Sequence, residues 1–358
     1  MRHALLQNVK RLVVKLGTGI LTNERHLPDP DRMRRLVDQI ARQHGAGREV
    51  VLVSSGAVGA GMGALGLTKR PTDLAGLQSC AAVGQVRLMA AYDDLFAAHG
   101  IHIAQVLLTH EDLRHHDRHL NARNTLLALL RRRVIPIINE NDTVSHTELK
   151  FGDNDRLSAL VGALLPADLL VILTSADGLM TGYGTPEQQV VPLVERIDDS
   201  IRALAGGTNH AAAVGGMATK IEAARIATRS GFPVIIASGL RENTLDRAVA
   251  GEPEGTLFVP SPAKLRSRKR WIAFFHRPRG VLRVDDGART ALRDHGKSLL
   301  APGIRRCEGR FQPGEVVSVC DLEGMEFARG IVRCSAQELN AGSPSRKVVI
   351  HRDDLVIL

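Results

Sequence analysis

The chain reads as an α/β layered domain with a mainly parallel sheet, followed by a small β-barrel-like module. Three observations carry this. Short apolar runs without polar alternation recur between helical segments up to about residue 258, and such runs mark strands covered on both faces, as in parallel sheets. A proline- and arginine-rich stretch then breaks the pattern. Beyond it the apolar segments shorten and glycines punctuate them, as in small barrels.

In chain order, Arg11 to Leu16 is the first expected strand and Val50 to Val53 the second. Val134 to Ile138, Leu169 to Thr174 and Pro233 to Ala237 are the third, fourth and fifth. Helical patterns fall between them, at about 31–43, 74–98, 121–132, 155–164 and 218–230. Strand–helix alternation of this kind builds layered α/β domains. Pro260 to Arg270 holds two prolines, five basic residues and one large apolar side chain, the composition of a linker. The division expected is a first domain over 1–259, a linker over 260–275 and a second domain over 276–358. In the latter, strands are expected at 280–284, 315–319, 330–333, 348–350 and 355–357, with one helix near 287–296.

Composition narrows the function classes. The 358 residues are 44% hydrophobic, enough for real cores, but carry only eight Phe, two Tyr and one Trp, so the cores are aliphatic. No secretory h-region opens the chain. The longest uncharged run, Val50 to Thr68, contains five glycines and two serines, which suits a strand and a loop rather than a membrane span. Four cysteines without a C-x-x-C pair point to no zinc site and no disulfide framework, hence to a reducing cytoplasm. Residues 259–358 hold 19 Lys and Arg against 11 Asp and Glu, whereas 1–258 are nearly balanced at 28 against 27. That asymmetry fits either a polyanion partner, such as RNA, or a solvated basic face.

Gly61 to Gly66 spells G-x-G-x-x-G, but no strand ending in an acidic residue follows about 20 positions later, so the dinucleotide reading fails. No Walker-A sequence is present. The turns at strand and helix ends say more. Lys15-Leu16-Gly17-Thr18-Gly19 ends the first strand, and Ser54-Ser55-Gly56-Ala57 the second. Gly215-Gly216-Met217-Ala218-Thr219-Lys220 opens a helix. Exposed amides at a glycine-rich helix start attract anions, and a lysine adds a point charge. Together these turns read as a cradle for a phosphate chain. Asn139-Glu140-Asn141-Asp142 and Gly152-Asp153-Asn154-Asp155 add a dense polar cluster. Such a cluster repels itself unless an ammonium group or a hydrated Mg²⁺ uses it, although Asp153 alone suits an N-cap.

The runs V-V-K-L-G-T-G (13–19), S-S-G-A-V (54–58), I-N-E-N-D-T-V (138–144), F-G-D-N-D-R-L-S-A (151–159) and G-G-M-A-T-K (215–220) resemble the glutamate 5-kinases of the amino acid kinase family. G-A-R-T-A-L (287–292), G-K-S-L-L-A-P-G-I (296–304), G-R-F-Q-P-G-E-V-V (309–317) and H-R-D-D-L (351–355) resemble the PUA domain. The resemblance implies a three-layer αβα sandwich plus a PUA barrel, ATP and Mg²⁺ as cofactors, and L-glutamate as phosphoryl acceptor. It places Lys15, Lys220 and Asp155 in catalysis, with no metal-ligating residue assigned. It assigns Ser55, Asp142 and Asn154 to glutamate. Lys15, Thr174, Ser175, Val214, Gly215, Gly216, Met217, Ala218, Thr219 and Lys220 would meet the nucleotide. It further implies proline as feedback inhibitor, a glutamyl phosphate reductase as partner, a homo-oligomer, and no membrane association. Ser175, Val214 and the non-acidic loop Met180 to Thr185 depart from the family pattern, leaving the base and ribose contacts open. Two rival readings stand beside this one. The acceptor could be another carboxylate, carbamate or a nucleoside monophosphate, or the basic module could make the chain an RNA-binding protein.

Overall fold

The computed structural model describes residues 1–23, 28–144, 153–206, 216–261, 265, 267–276, 278–341 and 347–358, the side chains of residues 110, 116, 153 and 267 aside. The chain divides into two compact units, Met1–Lys264 and Leu265–Leu358.

The first unit opens with α1 (Arg2–Leu6), β1 (Arg11–Leu16), α2 (Thr18–Leu21), α3 (Pro30–Gly45) and β2 (Glu49–Ser54). Next come α4 (Ala57–Ala64), α5 (Leu74–Ala97), β3 (Ile103–Leu108), α6 (His110–Arg114), α7 (His116–Arg131) and β4 (Ile135–Glu140). The unit continues through α8 (Asp153–Leu164), β5 (Leu169–Thr174), β6 (Met180–Thr181), β7 (Gln189–Val190) and β8 (Leu193–Val194). It ends with α9 (Asp199–Gly206), α10 (Met217–Ser230), β9 (Val234–Ser238), α11 (Thr244–Ala250) and β10 (Thr256–Phe258). Eight strands form one sheet in the order β3-β4-β2-β1-β5-β9-β10-β8. Six adjacent strands, β3 through β9, run parallel, and β10 reverses against β9.

Both faces of this sheet are covered. In β1, β2, β4, β5 and β9 consecutive residues are buried rather than alternate ones. Leu12, Val14 and Leu16 of β1 pack with Met33, Leu36 and Ile40 of α3, with Leu88 and Tyr92 of α5, and with Leu245 of α11. On the other side α8 lies against β1, β2, β4 and β5 and pairs with α10. The result is the αβα sandwich.

The five apolar runs of the sequence are β1, β2, β4, β5 and β9. Missing from that reading are the short strands β8 and β10 and also β3, an edge strand whose residues are mostly half-buried and which therefore lacks a continuous apolar signature. The G-x-G-x-x-G stretch is no loop: its first four residues form the second half of α4. Its glycine content follows from packing. A Cβ on Gly61 would lie 1.8 Å from the Cys80 carbonyl oxygen, and one on Gly84 would lie 1.7 Å from that of Ala57. The backbones of α4 and α5 touch there, which only glycine allows. Asp153 is the first helical residue of α8 rather than the residue before it.

The second unit is built on a six-stranded sheet, ordered β12-β16-β15-β14-β11-β13. It begins with α12 (Ser267–Arg270), which runs into a π-helical turn over Trp271–Phe275. Then follow β11 (Gly280–Val284), α13 (Asp286–Arg293), β12 (Leu299–Leu300), β13 (Ile304–Gly309) and β14 (Val316–Cys320). β15 (Glu326–Val332), α14 (Ala336–Asn340) and β16 (Val348–Ile357) complete it. The second half of the expected 260–275 linker is thus helical, because Ile272, Phe274 and Phe275 are apolar enough to be buried. The two terminal strands expected at 348–350 and 355–357 are one strand, β16, interrupted by a register shift against β15. Leu282, Phe311, Val317, Val319 and Ile350 anchor the core of this unit.

The contact between α4 and α5 yields a stability prediction. Gly84→Ala should destabilise the first unit by about 1–3 kcal/mol or more through overpacking against backbone. Gly45→Ala, at the end of α3 with nothing within 4 Å of the new Cβ, should be neutral or mildly stabilising. Urea unfolding of both variants checks this, and equal midpoints would contradict it.

Candidate active site

Parallel strands present their carboxyl ends along one edge of the sheet, and ligands of open α/β sheets bind in the crevice where strand order switches direction. Here the chain moves from β1 to one side, through β2, and later returns to β5 on the other. The residues at these ends are Lys15, Ser54 and Ser55, Thr174 and Ser175, and Asn139 and Glu140. All but Thr174 and Ser175 belong to the turns and polar clusters of the sequence, those two being implied by the resemblance alone, and the topology gathers them. Gly17 donates its N–H to the Leu173 carbonyl at 3.1 Å, tying the β1 and β5 ends together. A Cβ on Gly19 would lie 3.9 Å from Ser175 Oγ. Gly239, after β9, donates to the Thr174 carbonyl at 2.8 Å.

Asp155 is the centre of the charged part. Its carboxylate is fully buried in the first turn of α8 and holds two lysines. Lys15 Nζ lies 2.7 Å from Oδ1, and Lys220 Nζ lies 3.1 Å from Oδ2. Thr219 donates its hydroxyl to Oδ2 at 2.7 Å. Burial alone would push this carboxyl up, but Lys15 and then Lys220 overcome that and hold it below the usual carboxylate range. Lys220 is itself lowered from the ordinary lysine value, first by burial and then by Lys15, against the pull of Asp155. Two cations around one anion leave a net charge of +1 at the head of α10, whose N-cap, Gly216, makes no side-chain capping bond. Such an arrangement suits an anion.

The polar part surrounds Asn154. Its Nδ2 lies 3.1 Å from the Ser54 carbonyl, 3.0 Å from Ser55 Oγ and 3.0 Å from Asn139 Oδ1. Its own Oδ1 is buried and has no hydrogen-bond partner among the described residues, a costly condition for a carbonyl unless a ligand's donor satisfies it. Ser54 Oγ meets Tyr92 OH at 2.8 Å, and burial keeps that phenol far above its ordinary pKa and therefore neutral.

The structure therefore brings Lys15, Lys220, Asp155 and Thr219 into one cluster, and Ser55 with Asn154 into an adjoining one. Thr174 and Ser175 stand beside the first of these. Asp142 sits in the turn after β4, where its charge opposes the burial-driven lowering of the Arg70 guanidinium. Gly216, Met217 and Ala218 form the start of α10, while Val214 and Gly215 lie outside the described residues. The sequence reading of Thr219 as a nucleotide contact misses its bond to Asp155. Sequence reasoning gives no role to Asn139, although it lies in the I-N-E-N-D motif, and Gln85 and Tyr92 of α5 carry no local signal. Among the described residues no three His, Cys, Asp or Glu side chains converge as a metal cage.

The amino acid kinase family model matches residues 10–238, and the PUA domain model matches residues 280–352. The glutamate 5-kinase of Citrifermentans bemidjiense is 48% identical over the full length of both chains. That of Pelobacter propionicus is 46% identical, again over both full lengths. The chain belongs to the amino acid kinase family, in its glutamate 5-kinase branch. Among solved structures, the carbamate kinase from Giardia lamblia bound to AMP-PNP superposes with a TM-score of 0.52 at 21% identity, covering 71% of this chain and 99% of that one. The UMP kinase from Bacillus anthracis gives a TM-score of 0.50 at 13% identity, covering 71% and 97%. Both likenesses concern the fold of the first unit.

The Asp155 cluster predicts a pH dependence of stability. A carboxyl whose folded pKa lies below its unfolded value of about 3.9 contributes stability that is complete above that value and is lost as pH falls through the folded pKa. The urea midpoint of the wild type should fall more steeply than that of Asp155→Asn as pH drops below about 4. At pH 7 the variant, with two buried lysines uncompensated, should be about 3–5 kcal/mol less stable. Parallel pH curves for the two proteins would remove Asp155 from this role.

Proposed function

We propose that the protein transfers the γ-phosphoryl group of MgATP to the γ-carboxylate of L-glutamate, giving L-glutamyl 5-phosphate and ADP, the first step of proline biosynthesis. The observation that carries the reading is the buried Lys15–Asp155–Lys220 cluster at the switch point of the sheet. Full-length identity of 46–48% to glutamate 5-kinases supports the choice of acceptor.

The residue types fit the chemistry. A carboxylate acceptor, with a free pKa of about 4.3, is ionised at neutral pH and needs no general base. Phosphoryl transfer then depends on alignment and on neutralising charge on the transferred group. Lys15 and Lys220 supply that positive charge, and Asp155 keeps both ammonium groups aimed and prevents either from collapsing onto the substrate. Amides at the start of α10, with Gly216 to Lys220, receive the donor's phosphates. Thr174 and Ser175, and in this reading Val214 and Gly215, border the nucleotide. The metal arrives on the triphosphate as part of the substrate, held by phosphate oxygens and water, the usual habit of Mg²⁺ in such enzymes. Ser55, Asp142 and Asn154 receive glutamate, and the unpartnered Asn154 Oδ1 suits its α-ammonium group.

Proline inhibition at an overlapping pocket, delivery of the acyl phosphate to a reductase, homo-oligomeric assembly and a cytoplasmic location belong to the same reading. No helix among the described residues is long and apolar enough to cross a membrane. The RNA reading of the second unit loses its stacking platform. Phe274, Phe275, Phe311 and Phe327 are buried, and Trp271 packs edge-on against His276 at 4.0 Å. Its basic surface remains available to polyanions in general.

Hydroxylamine trapping tests the activity directly, because it captures the labile acyl phosphate as a hydroxamate. Signal with ATP, Mg²⁺ and L-glutamate is expected, and signal confined to another acid would change the acceptor. In the same assay Lys220→Ala should lower kcat by about 10²–10³ with little change in glutamate KM. Because burial lowers the Lys220 pKa in the free enzyme and the protonated form is the active one, the alkaline fall in kcat/KM should begin below the ordinary lysine value of about 10.4. A rise in KM alone would move Lys220 out of the phosphoryl-transfer step.

A further inference from the structure

Asn154 can receive a substrate ammonium only if its amide is turned so that Oδ1, not Nδ2, is the atom left without a protein partner, and the polarity of that turn is set by the protein groups around it. Two main-chain groups anchor the logic. The Ser54 carbonyl can only accept, so the atom of Asn154 facing it at 3.1 Å is the donor Nδ2. The Glu140 N–H can only donate, so the atom of Asn139 that faces it at 2.9 Å is Oδ1. That same Oδ1 accepts from Asn154 Nδ2 at 3.0 Å. Asn139 must therefore point its Nδ2 the other way, into the protein. There it donates to Gln85 Oε1 at 2.9 Å, both side chains being buried.

We infer that Gln85 is a positioning residue for the acceptor substrate, acting through Asn139 to hold the Asn154 amide with its carbonyl facing the ligand. The inference rests on the proposed role of Asn154 in binding the acceptor. Gln85 belongs to α5, one position past Gly84, where α5 touches the backbone of α4. Its neighbour seven positions on, Tyr92, meets Ser54 Oγ, so one face of α5 supports both sides of the acceptor pocket. Without an acceptor at position 85, Asn139 loses the partner of its buried Nδ2. Its alternative turn sets that Nδ2 against two other donors, Glu140 N–H and Asn154 Nδ2. In the first case the hold of Asn139 on Asn154 Nδ2 is weakened, and in the second it is lost, leaving the Ser54 carbonyl as the acceptor that still favours the present turn of Asn154.

The test compares Gln85→Met, which keeps length without an acceptor, with Gln85→Glu, which keeps the acceptor oxygen. In the hydroxamate assay Gln85→Met should raise the acceptor KM about tenfold, the cost of one buried unsatisfied group, with kcat and ATP KM within about twofold. Gln85→Glu should recover most of that loss. In an Asn154→Ala background, Gln85→Met should add less than about twofold. An unchanged acceptor KM in folded Gln85→Met, a parallel loss in kcat and ATP KM, or a full multiplicative effect on top of Asn154→Ala would each overturn the inference. Should Gln85→Met not fold, a tenfold KM rise in Gln85→Glu would overturn it alone. Wild-type signal separates the two levels. If the wild type accepts a different acid, the acceptor assignment fails while the same variants, titrated with that acid, still decide on Gln85. A wild type silent with every acid would remove both.

Discussion

A carboxylate with no solvent exposure cannot remain ionised without partners, and Asp155 has two lysines and a hydroxyl. This grouping constrains the first unit more than any other. Lys15 comes from β1, Asp155 from α8 and Lys220 from α10, so the cluster exists only when the central strand, one covering helix and its helical neighbour are in register. Among the described residues the grouping holds one more cation than anion. The protein holds that surplus charge in a dry place, where it acts on an anion more strongly than it would in water. Stability and reactivity are here the same electrostatic arrangement seen from two sides.

The neutral half of the site follows a different physics. Around Asn154 no net charge is involved, and specificity of orientation comes from the one-way character of backbone donors and acceptors. The Ser54 carbonyl and the Glu140 amide fix the sense of each amide between them. A side chain three bonds removed from any ligand thereby has a say in what the pocket presents. The two halves meet at consecutive residues, Asn154 and Asp155, in the first turn of a single helix.

Much of this was legible in the sequence, and the limits have physical reasons. Central strands announce themselves because burial on two faces forces continuous apolar runs, and the motif residues Lys15, Asn154, Asp155 and Lys220 stand at strand or helix ends that such runs delimit. The edge strand β3 has no such compulsion and went unseen. The α4 glycines resembled a loop because a helix whose backbone touches another helix uses the same residue that turns use. Gln85 and Tyr92 lie inside an ordinary long helix, and nothing local distinguishes a buried glutamine that completes a polar chain from one that does not. The hydrogen bond from Thr219 to Asp155 was not legible, since it depends on how α8 and α10 pair.

The order of strands has a consequence for how the protein comes into being. The parallel neighbours at the core of the sheet are distant in sequence: β1 pairs with both β2 and β5, and Lys15 and Lys220 meet through Asp155 across most of the first unit. Contacts of such high sequence separation form late and slowly, because the chain must close long loops before they reward it. A fragment that ends before α10 lacks Lys220 and cannot complete the cluster. Competence therefore requires β1, α8 and α10 to be in place together.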